Sequence, residues 1–210
     1  MSSLTTAPLA PLIERLYAQA SAATSPVMST VSKEERDRLM HSKTEYVTLY
    51  SMLKDLWLPV SQDTGKLLYM LARSSKARAI VEFGTSFGLS TLHLAAALRD
   101  NGGGVLIGSE FEASKVALAR EHFSQGGVSD LIHIREGDAL VTLASDLPDS
   151  VDLLLPYGAT TAKNPYPTIR DQNEFKNGLL EKTIKTNADI ITWLCSKAKA
   201  MRCCWRRRDR

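Results

Sequence analysis

Cysteine and histidine are scarce in this chain, and neither is spaced for chemistry. The three cysteines, Cys195, Cys203 and Cys204, all fall near the C-terminus. No C-x-x-C pair occurs, which excludes the usual zinc frameworks. An odd count without a secretion signal also excludes an even disulfide framework. His41, His93, His122 and His133 show no metal-ligand spacing, and ordinary structural roles are the reading for them. Nowhere do about 18 apolar residues run together, so no helical membrane span is expected. The start, Met1-Ser2-Ser3-Leu4-Thr5-Thr6, carries no basic segment leading into an apolar core, and the expectation is a cytoplasmic protein. With 44% hydrophobic and 23% charged residues, a chain of 210 residues has the composition of an ordinary globular protein with a substantial core.

What is present is concentrated in Ala79–Thr91. Ala79-Ile80-Val81-Glu82-Phe83 reads as a strand buried on both faces, Gly84 and Gly88 punctuate a turn, and Leu92 to Leu98 is dense in helix formers. The two glycines let the backbone approach a ligand closely, and the following helix directs free N–H groups into the same space. The dinucleotide fingerprint needs G-x-G-x-x-G, whereas this loop is Gly84-x-x-x-Gly88. That difference disfavours a nucleotide-dependent oxidoreductase. Glu82 suits a cationic amino group, and backbone amides with the hydroxyls of Thr85, Ser86 and Ser90 suit a carboxylate, so an amino-acid head group fits better than a pyrophosphate.

Two further strands lead to the same place. Gly104 to Glu110 ends in an acid able to accept both hydroxyls of a ribose. Leu131 to Arg135 runs into Glu136-Gly137-Asp138-Ala139, where Asp138 could accept a hydrogen bond from an exocyclic adenine amine. A fourth strand is read at Val151 to Leu155. Helices are expected between them at Glu112–Ser124, stopped by Gly126-Gly127, and from about Ala139 to Ser145. Alternation of strand and helix implies a parallel sheet, in the order 3-2-1-4.

Ahead of this core, Leu9 to Ala23 has the spacing of an amphipathic helix through Leu9, Leu12, Ile13, Leu16 and Tyr17, and packing on the body is the simplest role for it. Ser32-Lys33-Glu34-Glu35 has the form of a capping box and opens a helix reaching towards Trp57, with Leu39, Tyr46, Leu49, Tyr50, Leu53 and Leu56 as its apolar face. Ser61-Gln62-Asp63-Thr64 begins another helix that runs to about Arg73.

The run from Leu58-Pro59-Val60-Ser61 to about Leu155 resembles the class I S-adenosylmethionine-dependent O-methyltransferases, most closely the small enzymes related to caffeoyl-CoA and catechol O-methyltransferases. The resemblance implies an α/β, Rossmann-like methyltransferase fold with a mostly parallel sheet flanked by helices. It implies S-adenosyl-L-methionine as cofactor, with methionine contacts from Glu82, Gly84, Thr85 and Ser90, ribose contacts from Glu110, and adenine contacts from Asp138 and Ala139. Any contact from Val60 would be through backbone, since relatives often carry a hydroxyl residue there. The implied activity is methyl transfer to an oxygen of a small molecule, in a homodimer as is common among relatives.

The pattern breaks after Leu155. Relatives continue the fourth strand into Asp-Gly, and in metal-dependent members that acid binds the cation; this chain reads Pro156-Tyr157-Gly158-Ala159, and the later Asp-Asn pair is absent as well. No metal is therefore expected, and no catalytic base is identified. Charge reverses at the same point: residues 1–155 hold 14 Lys and Arg against 18 Asp and Glu, net −4, and residues 156–210 hold 12 against 5, net +7. One strand, Asp189 to Leu194, is the most that this end suggests, and it could equally belong to a helix from about Lys176.

The expected division is into N-terminal helices (1–57), a cofactor-binding core (58–155) and a divergent basic tail (156–210), with the hypothesis that the tail is not homologous to the family's C-terminal half and leaves the fold incomplete at that end. The arginines that close the chain read as a solvated tail, with no nucleic acid or membrane partner expected. A catalytically inactive cofactor-binding or interaction protein is the alternative function.

Overall fold

Ala79–Phe83 forms β1, the centre of the sheet, because a β-branched apolar run with neighbours on both sides has no face to give to water. β2 (Val105–Glu110) pairs with it on one side and β4 (Leu153–Pro156) on the other, while β3 (Ile132–Glu136) adds to β2. All three pairings are parallel, and the order is β3-β2-β1-β4 as expected. The computed structural model of the chain describes residues 2–24, 30–41, 45, 48, 51–52 and 54–156. Tyr46, Leu49, Tyr50 and Leu53 of the expected helix face lie outside the described residues, as do the three cysteines and the segment 189–194.

Among the described residues α1 (Leu9–Ala22), α2 (Lys33–His41) and α3 (Gln62–Ser74) precede the sheet, and α4 (Leu89–Asp100), α5 (Ala113–Gln125) and the short α6 (Ala139–Thr142) fill the crossovers. Ser61 caps α3 by accepting from the Thr64 amide at 3.1 Å, and Ser32 accepts from the Glu35 amide at 3.1 Å at the start of α2. α4 is the central helix. Every side chain from Leu89 to Leu98 is buried, since the sheet covers one side and α1 and α3 cover others.

Alternation along each strand divides the core. Ile80, Leu106, Ile132 and Leu153 pack with α1, α3, α4 and α5, while Val81, Ile107 and Leu154 face Ala139, Leu143 and Val151. α1 contributes Leu9, Leu12, Ile13, Leu16 and Tyr17, the stripe its spacing indicated, and all five are buried.

The helix expected to reach towards Trp57 is described as α2 as far as His41 and again as helix at Thr48, Ser51 and Met52; Lys54 and Asp55 form a turn and residues 56–60 have no regular structure, Pro59 biasing Leu58 away from helical backbone. The helix expected from Ala139 to Ser145 ends at Thr142. The Arg135 guanidinium takes the carbonyls of Thr142, Ser145 and Asp146 at 2.6 to 2.7 Å, and Asp146 has a positive φ of 54°, so the chain turns away. Pro156 is the last residue of β4, where its missing N–H costs the ladder least.

Candidate functional site

The C-terminal ends of β1, β2 and β3 meet because parallel pairing sets Glu82 beside Gly108 and Glu110 beside Glu136. The loop leaving β1 turns through left-handed backbone at Gly84 (φ 84°), Ser86 (φ 50°) and Gly88 (φ 86°). At Gly88 glycine is needed twice over. A Cβ there would sit 2.5 Å from the Phe123 ring, besides the unfavourable φ. Gly84 and Thr85 donate their amides to the Ser109 carbonyl at 3.1 and 3.0 Å, tying the loop to β2.

Glu82 lies wholly buried on the α4 side of the sheet. Its carboxylate accepts from the Ser90 hydroxyl at 2.6 Å, Thr91 at 2.5 Å and Thr85 at 3.2 Å. Burial pushes this carboxyl above the usual carboxylate range; the three hydroxyl donors pull it back in part, and the charge of Glu110 adds to the rise. Gly108 makes room for the network, because a Cβ at that position would meet the Thr85 hydroxyl at 2.4 Å. Sequence reasoning passed over Gly108, although a glycine inside a strand is itself a signal of close approach.

Glu110, the last residue of β2, is held differently. One oxygen accepts from the Ser86 amide at 2.7 Å and the other from the Glu112 amide at 2.9 Å. A carboxylate offers about four acceptor positions, so the outward lone pairs stay open to further donors. The Glu110 carbonyl accepts from the Gly137 amide at 2.9 Å, which sets Asp138 and Ala139, at the start of α6, beside the end of β2. Phe111 follows with its ring 41% exposed, a large apolar surface at the strand ends that the sequence reading did not single out.

A narrow, nearly closed crevice of about 10 Å³ lies between Trp57, Leu58, Pro59 and Val60 on one side and Gly84, Thr85, Ser86, Phe87, Leu89 and Ser90 on the other. Gly84, Thr85 and Ser90 of the expected set line it. Glu82 lies behind them, and Glu110, Asp138 and Ala139 are outside its lining. A larger hollow, about 1600 Å³ with its open solvent, lies against β3 and is lined by His133, Arg135 and Leu147 among others; none of the expected residues reaches it. The strand-end crevice is the candidate site, since the left-handed loop lines it, the buried Glu82 holds Thr85 and Ser90 from behind, and Glu110 is bonded to the Ser86 amide beside it. Among the described residues no group of three His, Cys, Asp or Glu side chains is placed to hold a metal, and no helix is long and apolar enough to cross a membrane.

A parallel sheet with a glycine turn at the central strand and an acid ending its neighbour defines the class of nucleoside-binding α/β proteins. Within that class the assignment is specific: a family model described as O-methyltransferase matches residues 29–155, more than half of the chain, and the chain belongs to that family. It is 36% identical over 83 residues to a catechol O-methyltransferase from Niastella koreensis, covering 40% of this chain and 37% of that protein. With a catechol O-methyltransferase from Mycobacterium tuberculosis it shares 33% over 97 residues, covering 46% and 43%. The chain thus spans less than half the length of these curated relatives. Among solved structures it is similar to the O-methyltransferase TomG from Streptomyces achromogenes in complex with SAM, at 28% identity and a TM-score of 0.52 over 70% of this chain and 65% of that one. The O-methyltransferase from Bacillus cereus in complex with SAH, at 22% identity and a TM-score of 0.53 over 79% and 70%, shares the fold.

Proposed function

We propose that this chain binds S-adenosylmethionine across the ends of β1, β2 and β3 and serves methyl transfer to an oxygen of a small molecule. The observation that carries this reading is the 2.7 Å bond from the Ser86 amide to Glu110, which joins the glycine loop to the acid at the end of the neighbouring strand. One ligand can then touch both. The residues fit the cofactor: Gly84 and the hydroxyls of Thr85 and Ser90 line a crevice for its amino-acid end, the outward lone pairs of Glu110 suit vicinal ribose hydroxyls, and the exposed Phe111 ring offers a face to a purine. Asp138 and Ala139 would border the adenine. Glu82 then acts from behind, fixing Ser90 and Thr85, which line the crevice, through their hydroxyls.

When bound, the cofactor supplies an electrophilic methyl group. The protein's share is to hold that end beside the acceptor and keep water away, chiefly a matter of orientation. A homodimer and a cytoplasmic location complete the proposal, as does the division into helices (1–57), core (58–155) and divergent tail (156–210). A second reading, cofactor binding without turnover, is favoured by one observation: the family match stops at residue 155, where the Asp-Gly continuation of relatives is missing. Incubation with methyl-labelled S-adenosylmethionine and a panel of phenols separates the two. Label in the phenol establishes the enzyme; cofactor uptake without label establishes the second reading.

A further inference from the structure

Residues 56–60 cross the open side of the glycine loop without regular structure, and Leu58 in their middle is 48% exposed. At their far end Val60 is buried and Ser61 caps α3, so that end is fixed. At the near end the fastening is aromatic. The Trp57 indole stacks on the Phe87 ring at 4.1 Å between centroids, with 11° between planes, and approaches His122 at 6.2 Å. Phe87 itself is anchored to α5: its carbonyl is bonded to His122 Nδ1 at 2.9 Å, and Lys115 Nζ lies 5.3 Å from the ring centroid. One partner of the stack is therefore locked into the body, while the other sits on an irregular, half-exposed segment.

We propose that Trp57 is a positioning residue, the clasp by which the strap 57–60 closes over the glycine loop and retains the amino-acid end of the bound cofactor. This rests on the cofactor reading above. Trp57, Leu58, Pro59 and Val60 line one side of the crevice, which at about 10 Å³ is nearly closed, so a head group passes between strap and loop only when that side lifts. The stack is the contact that lifting must break. Phe87 stays in place because its backbone and ring are held from the α5 side.

Hydrogen exchange followed by mass spectrometry, on the full chain and on W57A, W57F and F87A, tests this with and without S-adenosylhomocysteine. Without ligand, exchange in the peptide covering residues 56–61 rises about three- to tenfold in W57A and F87A, as expected for loss of an aromatic pair, and W57F stays near the parent. Peptides from β1 and α4 keep their exchange rates, which separates an opened strap from general unfolding. In the parent chain S-adenosylhomocysteine slows exchange of the strap, and its dissociation quickens by a similar factor of about three to ten in W57A. Unchanged strap exchange in W57A overturns the clasp. Faster strap exchange with unchanged dissociation overturns its role in retention. A folded parent chain that takes up no S-adenosylhomocysteine overturns the cofactor reading and the retention role with it, whereas failure of the clasp alone leaves ligand uptake intact.

Discussion

Glu82 and Glu110 stand at the ends of adjacent parallel strands, and the surroundings make them different groups. Glu82 is sealed behind α4, with both oxygens satisfied by three hydroxyls and its proton affinity raised by burial. Glu110 is held by two backbone amides and keeps lone pairs towards the open strand ends. A carboxylate fixed by side-chain hydroxyls in a dry site organises the loop; one fixed by amides at the rim is arranged to receive a ligand. The same residue type, one strand apart, thus sits in a buried hydroxyl network in one place and on two backbone amides in the other, where the proposed function gives it the ribose.

The comparison breaks first at the loop that joins the two acids. Gly88→Ala forces a left-handed alanine against the Phe123 ring, and urea denaturation is expected to show a loss of about 4 kcal/mol. Next comes the direct contrast. Glu82→Ala empties a buried site and strands three hydroxyls, costing about 3 kcal/mol of stability, whereas Glu110→Ala costs less than about 1 kcal/mol because its amide partners can turn to water. Equal losses in the two variants would erase the distinction.

The pH dependence sharpens it. Because the folded chain raises the Glu82 carboxyl above its usual value near 4.5, folding binds its proton more tightly. That contribution is complete below pH 4.5 and is lost as pH rises through the raised value. Glu82→Gln removes this loss, so the parent's unfolding free energy should fall relative to the variant's between acid and neutral pH. A difference independent of pH would place Glu82 in a wetter site than described. A modest effect is expected at Ser86, whose φ of 50° tolerates a small polar residue better than a β-branched one. Ser86→Val should cost about 1 kcal/mol and weaken the hold of the loop on Glu110.

Much of this was legible in the residues. The strands could be read because buried parallel strands are nearly all apolar, and the ends of β1, β2 and β3 because an acid or a glycine stands at each. Ser61 and Ser32 marked helix starts through capping chemistry that acts within four residues. The burial of Glu82 was not legible: it depends on which face of β1 position 82 occupies and on Ser90 and Thr91 coming round on the first turn of α4. Nor was the stack of Trp57 on Phe87, since no local rule pairs residues thirty apart. The end of α6 was overestimated because apolar spacing continued past the point where the Arg135 guanidinium gathers the carbonyls of Thr142, Ser145 and Asp146.

Calorimetric titration of the full chain with S-adenosylhomocysteine, alongside Glu110→Ala, reaches the central claim most directly. The account predicts saturable binding at one site, weakened by about 1 to 3 kcal/mol in the variant, the cost of losing charge-assisted hydrogen bonds to the ligand. No binding by a chain shown to be folded, or equal binding by parent and variant, would contradict it.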